Sequence, residues 1–150
     1  AVEWLPLWDE DLVALVPDTH RLAGREAVDL IELATDPFVA LKPNYGLRQT
    51  VDDLCREAGF SAHIAFEGEE VATLRGLVGA GFGVALVPKV GGQSDVNAVS
   101  LSIRSPRTFR TFGLSWARGR YLPQSTAAFR DFLIELLQHR ERRPRVKTPA

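Results

Sequence analysis

Apolar positions recur along the chain in two spacings, short unbroken runs and i, i+3/i+4 series, and these separate strands from helices. "EWLPLWDEDLVALVP" holds two short apolar stretches; the run Leu12, Val13, Ala14, Leu15, Val16 predicts a strand over 10–16 buried on both faces, ended by Pro17. "DTHRLAGREAVDLIELATDP" has turn chemistry around Gly24, then a short helical pattern through Leu30, Ile31 and Leu33 that Pro37 stops. "PFVAL" predicts the next strand. Leu47, Val51, Leu54 and Ala58 sit at helical spacing with Gly59 just past the end, which predicts a helix from Leu47 to Ala58. "AHIAFE" predicts a strand, and "GEEVATLRGLVGAG" a second helix that opens at Gly68 and Glu69 and gathers Val71, Leu74, Leu77 and Val78 on one face.

"LVGAGFGVALVP" carries Gly79, Gly81 and Gly83 and superficially looks like a phosphate loop. In a dinucleotide fingerprint the glycines follow a strand and open a helix, so that free N–H groups meet the pyrophosphate. Here they close a helix and lead into the strand "VALVP", so the exposed backbone groups are carbonyls, which repel phosphate. Gly81 is therefore read as the left-handed residue ending the helix, and Gly79 as room for close packing of the helix on the sheet. Farther on, "KVGGQSDVN" is a polar loop, "AVSLSI" and "TFRTFGLSWA" are strands, and "TAAFRDFLIELLQHR" is an amphipathic helix introduced by Pro123 and Ser125. Strands alternating with helices imply an α/β fold around a largely parallel or mixed sheet.

The chain's 150 residues, 45% hydrophobic and 25% charged, suit one soluble unit or two lobes sharing a connection. A net charge of -1 offers no broad basic face for DNA or anionic lipid. Cys55 is the single cysteine, so no internal disulfide or cysteine-built zinc site forms, in keeping with a reducing cytoplasm, and its surroundings suit a plain helical thiol. No basic leader or membrane-length apolar run is present, and a cytoplasmic chain is expected.

His20, His63 and His139 fall in a turn, a strand and a helix end without metal spacing. Asp52 and Asp53 diverge by about 100 degrees on a helix and cannot act as a carboxylate pair. Neither catalytic residues, a metal site nor a cofactor is expected.

"LPLWDEDLVALVPDTHRLAGRE", "DPFVAL", "GLRQTVDDLCREAGF", "HIAFEGEEVATLRGLVGAGFGVALVP" and "TFGLSWARGRYLPQSTAAFRDFL" together resemble, in order, the C-terminal half of LysR-type transcriptional regulators. The resemblance implies a periplasmic-binding-protein-like (type 2) α/β fold of two lobes, with a small-molecule effector in the cleft between them. It implies a complete lobe II over 14–111 and a partial lobe I from 1–13 and 112–140 including the C-terminal helix; the charged, proline-broken composition of "ERRPRVKTPA" separately predicts a disordered tail over 141–150. DNA would be reached only through a winged helix-turn-helix absent from this chain, with no membrane partner.

"KPNYG" resembles the "KPNF" segment that contacts carboxylates in the benzoate, muconate and chlorocatechol regulators of the family. By that likeness Pro43, Asn44, Tyr45, Gly46 and Arg48 face the effector, a carboxylate, and Gly68 and Glu69 form a second edge. Free N–H groups at Gly46 and Leu47, the helix dipole and the charge of Arg48 all favour an anion there. Glu67, Glu69 and Glu70 are read first as acids that favour a helix start rather than as ligand-selecting groups. The family's side-by-side homodimer points to the helix 47–58, whose Gln49, Asp52 and Arg56 suit an interface or plain solvent exposure. A solute-binding protein of a transport system shares the architecture and is the alternative.

Overall fold

The computed structural model describes residues 1–90 and 95–141, the last four as backbone only. Part of the expected polar loop (91–94), the side chain of His139 and the expected tail over 142–150 lie outside the described residues. The elements in order are β1 (Val2–Pro17), β2 (Ala27–Val28), a 3₁₀ turn (Leu30–Leu33), β3 (Pro37–Leu41), α1 (Gly46–Glu57), β4 (His63–Gly68), α2 (Val71–Gly79), β5 (Ala85–Pro88), β6 (Ala98–Ile103), β7 (Phe109–Ala117) and α3 (Gln124–Glu141).

The larger sheet is mixed, with strand order β2-β6-β1-β5 and β7 also pairing with β1. β1 runs antiparallel to both β5 (Leu15↔Ala85) and β6 (Ala14↔Leu101), and β2 runs parallel to β6. β3 and β4 form a separate parallel pair, tied at Phe38 to Val84 by a single bridge.

Two differences from the sequence reading stand out. β1 extends from Val2 rather than starting near residue 10, and its first half alternates exposed and half-buried positions. β2 was not foreseen, because two residues carry no periodicity; it forms where Val28 is fully buried beside β6.

Contacts divide the chain into two compact units, Glu10–Arg110 and Ala1–Asp9 with the chain from Thr111 onward. In Glu10–Arg110 the apolar faces of both sheets and the inner faces of α1 and α2 meet in one core, with Leu15, Leu30, Leu33, Phe38, Leu74, Val78 and Leu101 at its centre. Phe60 closes one side against Phe38, ring centroids 6.1 Å apart. In the other unit β1 and β7 hold each other through a stacked Trp8–Phe112 pair at 5.1 Å, a Thr111–Asp9 hydrogen bond at 2.7 Å and an Arg118–Glu3 ion pair.

The glycines near residue 80 are architectural. Gly81 has φ of +83° and ends α2 in the left-handed conformation. A Cβ on Gly83 would lie 2.3 Å from the Pro37 carbonyl oxygen, the same oxygen that accepts the Val84 N–H, so glycine here lets β3 approach. Gly79 does make room, but not for the sheet: its close neighbour is the Val96 carbonyl oxygen, 2.3 Å from a would-be Cβ.

Candidate functional site

The parallel register of β3 and β4 pairs Leu41 with Gly68, so both strands end side by side at one edge. Each then passes into a helix start, through Lys42–Tyr45 into α1 and through Glu69–Glu70 into α2. The Lys42 N–H donates to the Gly68 carbonyl at 3.1 Å, and the Tyr45 N–H closes a turn on the Lys42 carbonyl at 3.1 Å. The carboxyl ends of parallel strands, where helix N-termini gather, are where open α/β sheets take ligands.

Neither helix is capped by a side chain; Tyr45 and Glu70 occupy the capping positions in extended conformation. On α1 the first N–H groups to find backbone acceptors are those of Arg48 and Gln49, both on the Tyr45 carbonyl, which leaves the N–H groups of Gly46 and Leu47 without a backbone partner among the described residues. The helix dipole places partial positive charge there.

Gly68 does not open α2 as expected. It is the last residue of β4, because the ladder to β3 runs on to Leu41, and α2 begins only at Val71. Gly68 is buried, and a Cβ on it would sit 3.1 Å from Leu74 Cδ2. Pro43, Asn44, Gly46 and Glu69 are exposed at this edge and Tyr45 is half-buried.

The edge holds two cations of different standing. Arg48 turns inward: its Nε donates to both Asp52 carboxylate oxygens at 3.1 Å, and one terminal nitrogen donates to the Leu41 carbonyl at 2.9 Å and to Glu67 at 2.7 Å. Its side chain is only 12% exposed. Burial works against its charge, but the hydrogen bonds to Glu67 and Asp52 outweigh it and raise its pKa above the usual arginine value. Arg48 thus fastens the end of β3, β4 and α1 together.

Lys42, which the sequence reading passed over although it opens "KPNYG", pairs with Glu69 across the two strand ends. Both side chains are largely exposed. The hydrogen bond from Lys42 lowers the Glu69 pKa, and the same bond raises that of Lys42, so both stay charged around neutrality. Such exposed pairs add little to stability and are readily rearranged.

The remaining candidates lie apart from this edge. On α1, Gln49 is exposed, Asp52 is engaged by Arg48, and Arg56 pairs with Asp53 at 2.6 Å. His20 is satisfied, with Asp36 3.2 Å from Nε2 and the Leu22 N–H donating to Nδ1. Cys55 is buried, and burial, aided by the Asp52 charge, pushes its thiol up to about 12. Among the described residues no cluster of His, Cys, Asp and Glu could hold a metal, and no helix is long and apolar enough to cross a membrane. An open groove of about 420 Å³ lined by Asp29, Ile31, Glu57, Ala58, Ser105 and Pro106 is roomier, but its only charged side chains are acids and it shares no residue with the strand-end edge. The edge has the better chemistry for an anion.

Residues 1–138 match the sequence family described as the LysR substrate binding domain. The chain is 37% identical over 133 residues to the uncharacterized HTH-type transcriptional regulator YybE of Bacillus subtilis, covering 89% of this chain and 46% of that protein. It is 35% identical over 137 residues to the transcriptional dual regulator GltC of the same organism, covering 90% and 46%. The chain therefore spans just under half the length of these curated relatives. Among solved structures, the effector binding domain of QuiR in complex with shikimate superposes with a TM-score of 0.84 at 29% identity, covering 92% of this chain and 66% of that one.

These relatives are transcriptional regulators, which disfavours the transport alternative, and their family is in general not enzymatic. Its effector domains have the periplasmic-binding-protein-like type 2 fold. By sequence and by fold, the chain belongs to the LysR substrate-binding domain family.

Proposed function

We propose that this chain is the effector-sensing part of a LysR-type transcriptional regulator and that the strand-end edge of Glu10–Arg110, read as lobe II, contacts a small organic acid. The observation that carries the reading is the meeting of two uncapped helix starts at the ends of β3 and β4, in a domain whose relative QuiR holds shikimate, itself an organic acid. The N–H groups of Gly46 and Leu47 donate to the carboxylate, and Pro43, Asn44 and Tyr45 shape the space beside it. Arg48 acts here as a positioning residue, because its Nε and one terminal nitrogen already serve Asp52, Leu41 and Glu67.

Effector occupancy shifts the lobe arrangement and through it the placement of DNA-binding domains carried elsewhere in the regulator, which works in the cytoplasm as a homo-oligomer without catalysis of its own. The outer face of α1, with Gln49, Asp52 and Arg56, is the proposed dimer face. Thermal-shift screening of organic acids against the full-length regulator tests the reading. A hit at 100 times its dissociation constant stabilises by about 2.7 kcal/mol, and Asn44→Ala is expected to abolish that shift. A screen in which no acid moves the transition, or a hit unaffected by Asn44→Ala, overturns the assignment of this edge.

A further inference from the structure

We propose that Glu69 occupies, in the ligand-free domain, the place of the effector's carboxylate on Lys42, and that the edge consequently selects acids with a single carboxylate over dianions. The inference rests on the reading of this edge as the effector contact. It starts from a charge inventory: two cations, Lys42 and Arg48, meet three acids, Asp52, Glu67 and Glu69. Both cations are already paired, Lys42 with Glu69 and Arg48 with Glu67 and Asp52, while Glu70 has no ion-pair partner among the described residues. An incoming anion must therefore displace an acid or go without a counter-ion.

Only one of the two pairs can yield. Arg48 is 12% exposed and is held at once by a β3 carbonyl, a β4 carboxylate and its own helix, so freeing it would leave a mostly buried charge unmatched. Lys42 and Glu69 are 48% and 64% exposed and meet through a single contact, which rotation of the Glu69 side chain into solvent releases. A ligand carboxylate can then accept the Lys42 ammonium donors that Glu69 gave up, in the same turn that leaves the Gly46 and Leu47 N–H groups unpaired.

The exchange also sets the limit on ligand charge. Once one carboxylate has taken Lys42, no further cation at the edge is available, and Glu67 and the displaced Glu69 repel a second anionic group. Hydroxyls remain welcome, since Asn44 and Tyr45 offer neutral hydrogen-bonding groups. The edge thus fits a hydroxylated or aromatic monocarboxylate.

Calorimetric titration of the full-length regulator with shikimate, and with shikimate 3-phosphate as the more highly charged form of the same ring, tests this in wild type, Glu69→Gln, Lys42→Met and Glu70→Gln. Shikimate is expected to bind Glu69→Gln about three- to tenfold more tightly than wild type, Lys42→Met at least about tenfold more weakly, and Glu70→Gln within about twofold. Wild type is expected to prefer shikimate to its phosphate. Equal affinities of wild type and Glu69→Gln, or a phosphate bound as tightly as shikimate, overturn the exchange while leaving the effector reading standing. Failure of wild type and every variant to bind either acid removes the exchange, while the effector reading stands or falls with the wider screen of organic acids.

Discussion

Among the described residues every buried hydrophobic side chain, from Leu12 to Leu101, belongs to Glu10–Arg110, whereas the other unit leaves Trp4, Trp8, Phe129, Phe132 and Leu136 between 46% and 61% exposed. β1 carries the contrast within a single strand: positions 2–8 merely alternate exposed with half-buried, and 12–16 are buried without interruption. Identical backbone geometry is thus covered on both faces in one unit and only partly in the other. The difference shows where rigidity resides. The proposed ligand edge grows from the ends of β3 and β4, and β3 is anchored by Phe38, Val39 and Leu41 in the covered unit, so the proposed site stands on the better-packed half.

The sharpest way to break this contrast is to remove one large apolar side chain from each unit. Phe38→Ala empties a fully buried site and is expected to cost about 3–5 kcal/mol, whereas Phe132→Ala on the exposed face of α3 is expected to stay within about 0.5 kcal/mol. Urea unfolding measures both. Comparable losses at the two positions would dissolve the distinction between the units.

A smaller effect comes from Cys55, on the inner face of α1. Its thiol is pushed from 9.0 up to about 12, first by burial and then by Asp52. The native state therefore holds the proton more firmly than the unfolded state. The stabilisation this gives is fully present below the unfolded value near 9 and is lost as pH rises toward 12. Across that window the thiol contributes a slope of up to about 1.4 kcal/mol per pH unit. Urea midpoints at pH 8 and pH 10 should separate more in wild type than in Cys55→Ala. Equal separation in the two proteins would mean that the thiol is not shielded by the core.

Local patterning made much of this architecture legible. Strand β3 follows from "PFVAL" residue for residue, and the stops after α1 and α2 follow from Gly59 and Gly81, both of which adopt positive φ. The first half of β1 was hidden because its outward positions, Trp4 and Trp8, are as apolar as its half-buried Leu5 and Leu7, so polarity does not alternate although burial does. Gly68 looked like a helix opener beside two acids; only the pairing with Leu41 shows it to be the end of a strand.

The chemistry of the edge was legible in part. "KPNYG" leads to the turn at the end of β3, but the inward fold of Arg48 depends on Glu67, nineteen residues farther on, which only the parallel register of β3 and β4 brings within 2.7 Å. Lys42 was within reach of sequence reasoning, as the cation directly after a buried strand. Its partner Glu69, like the Arg48 clamp, becomes visible only when the two strand ends lie side by side.

The central claim is that the ends of β3 and β4 receive an organic acid. Amide NMR of the regulator domain titrated with the organic acid that the thermal-shift screen identifies tests it most directly. The account predicts saturable shifts concentrated at Asn44, Tyr45, Gly46, Leu47 and Glu69, with Phe132 and the rest of α3 unmoved. Shifts confined to other surfaces, or none at these amides while the acid binds, would contradict it.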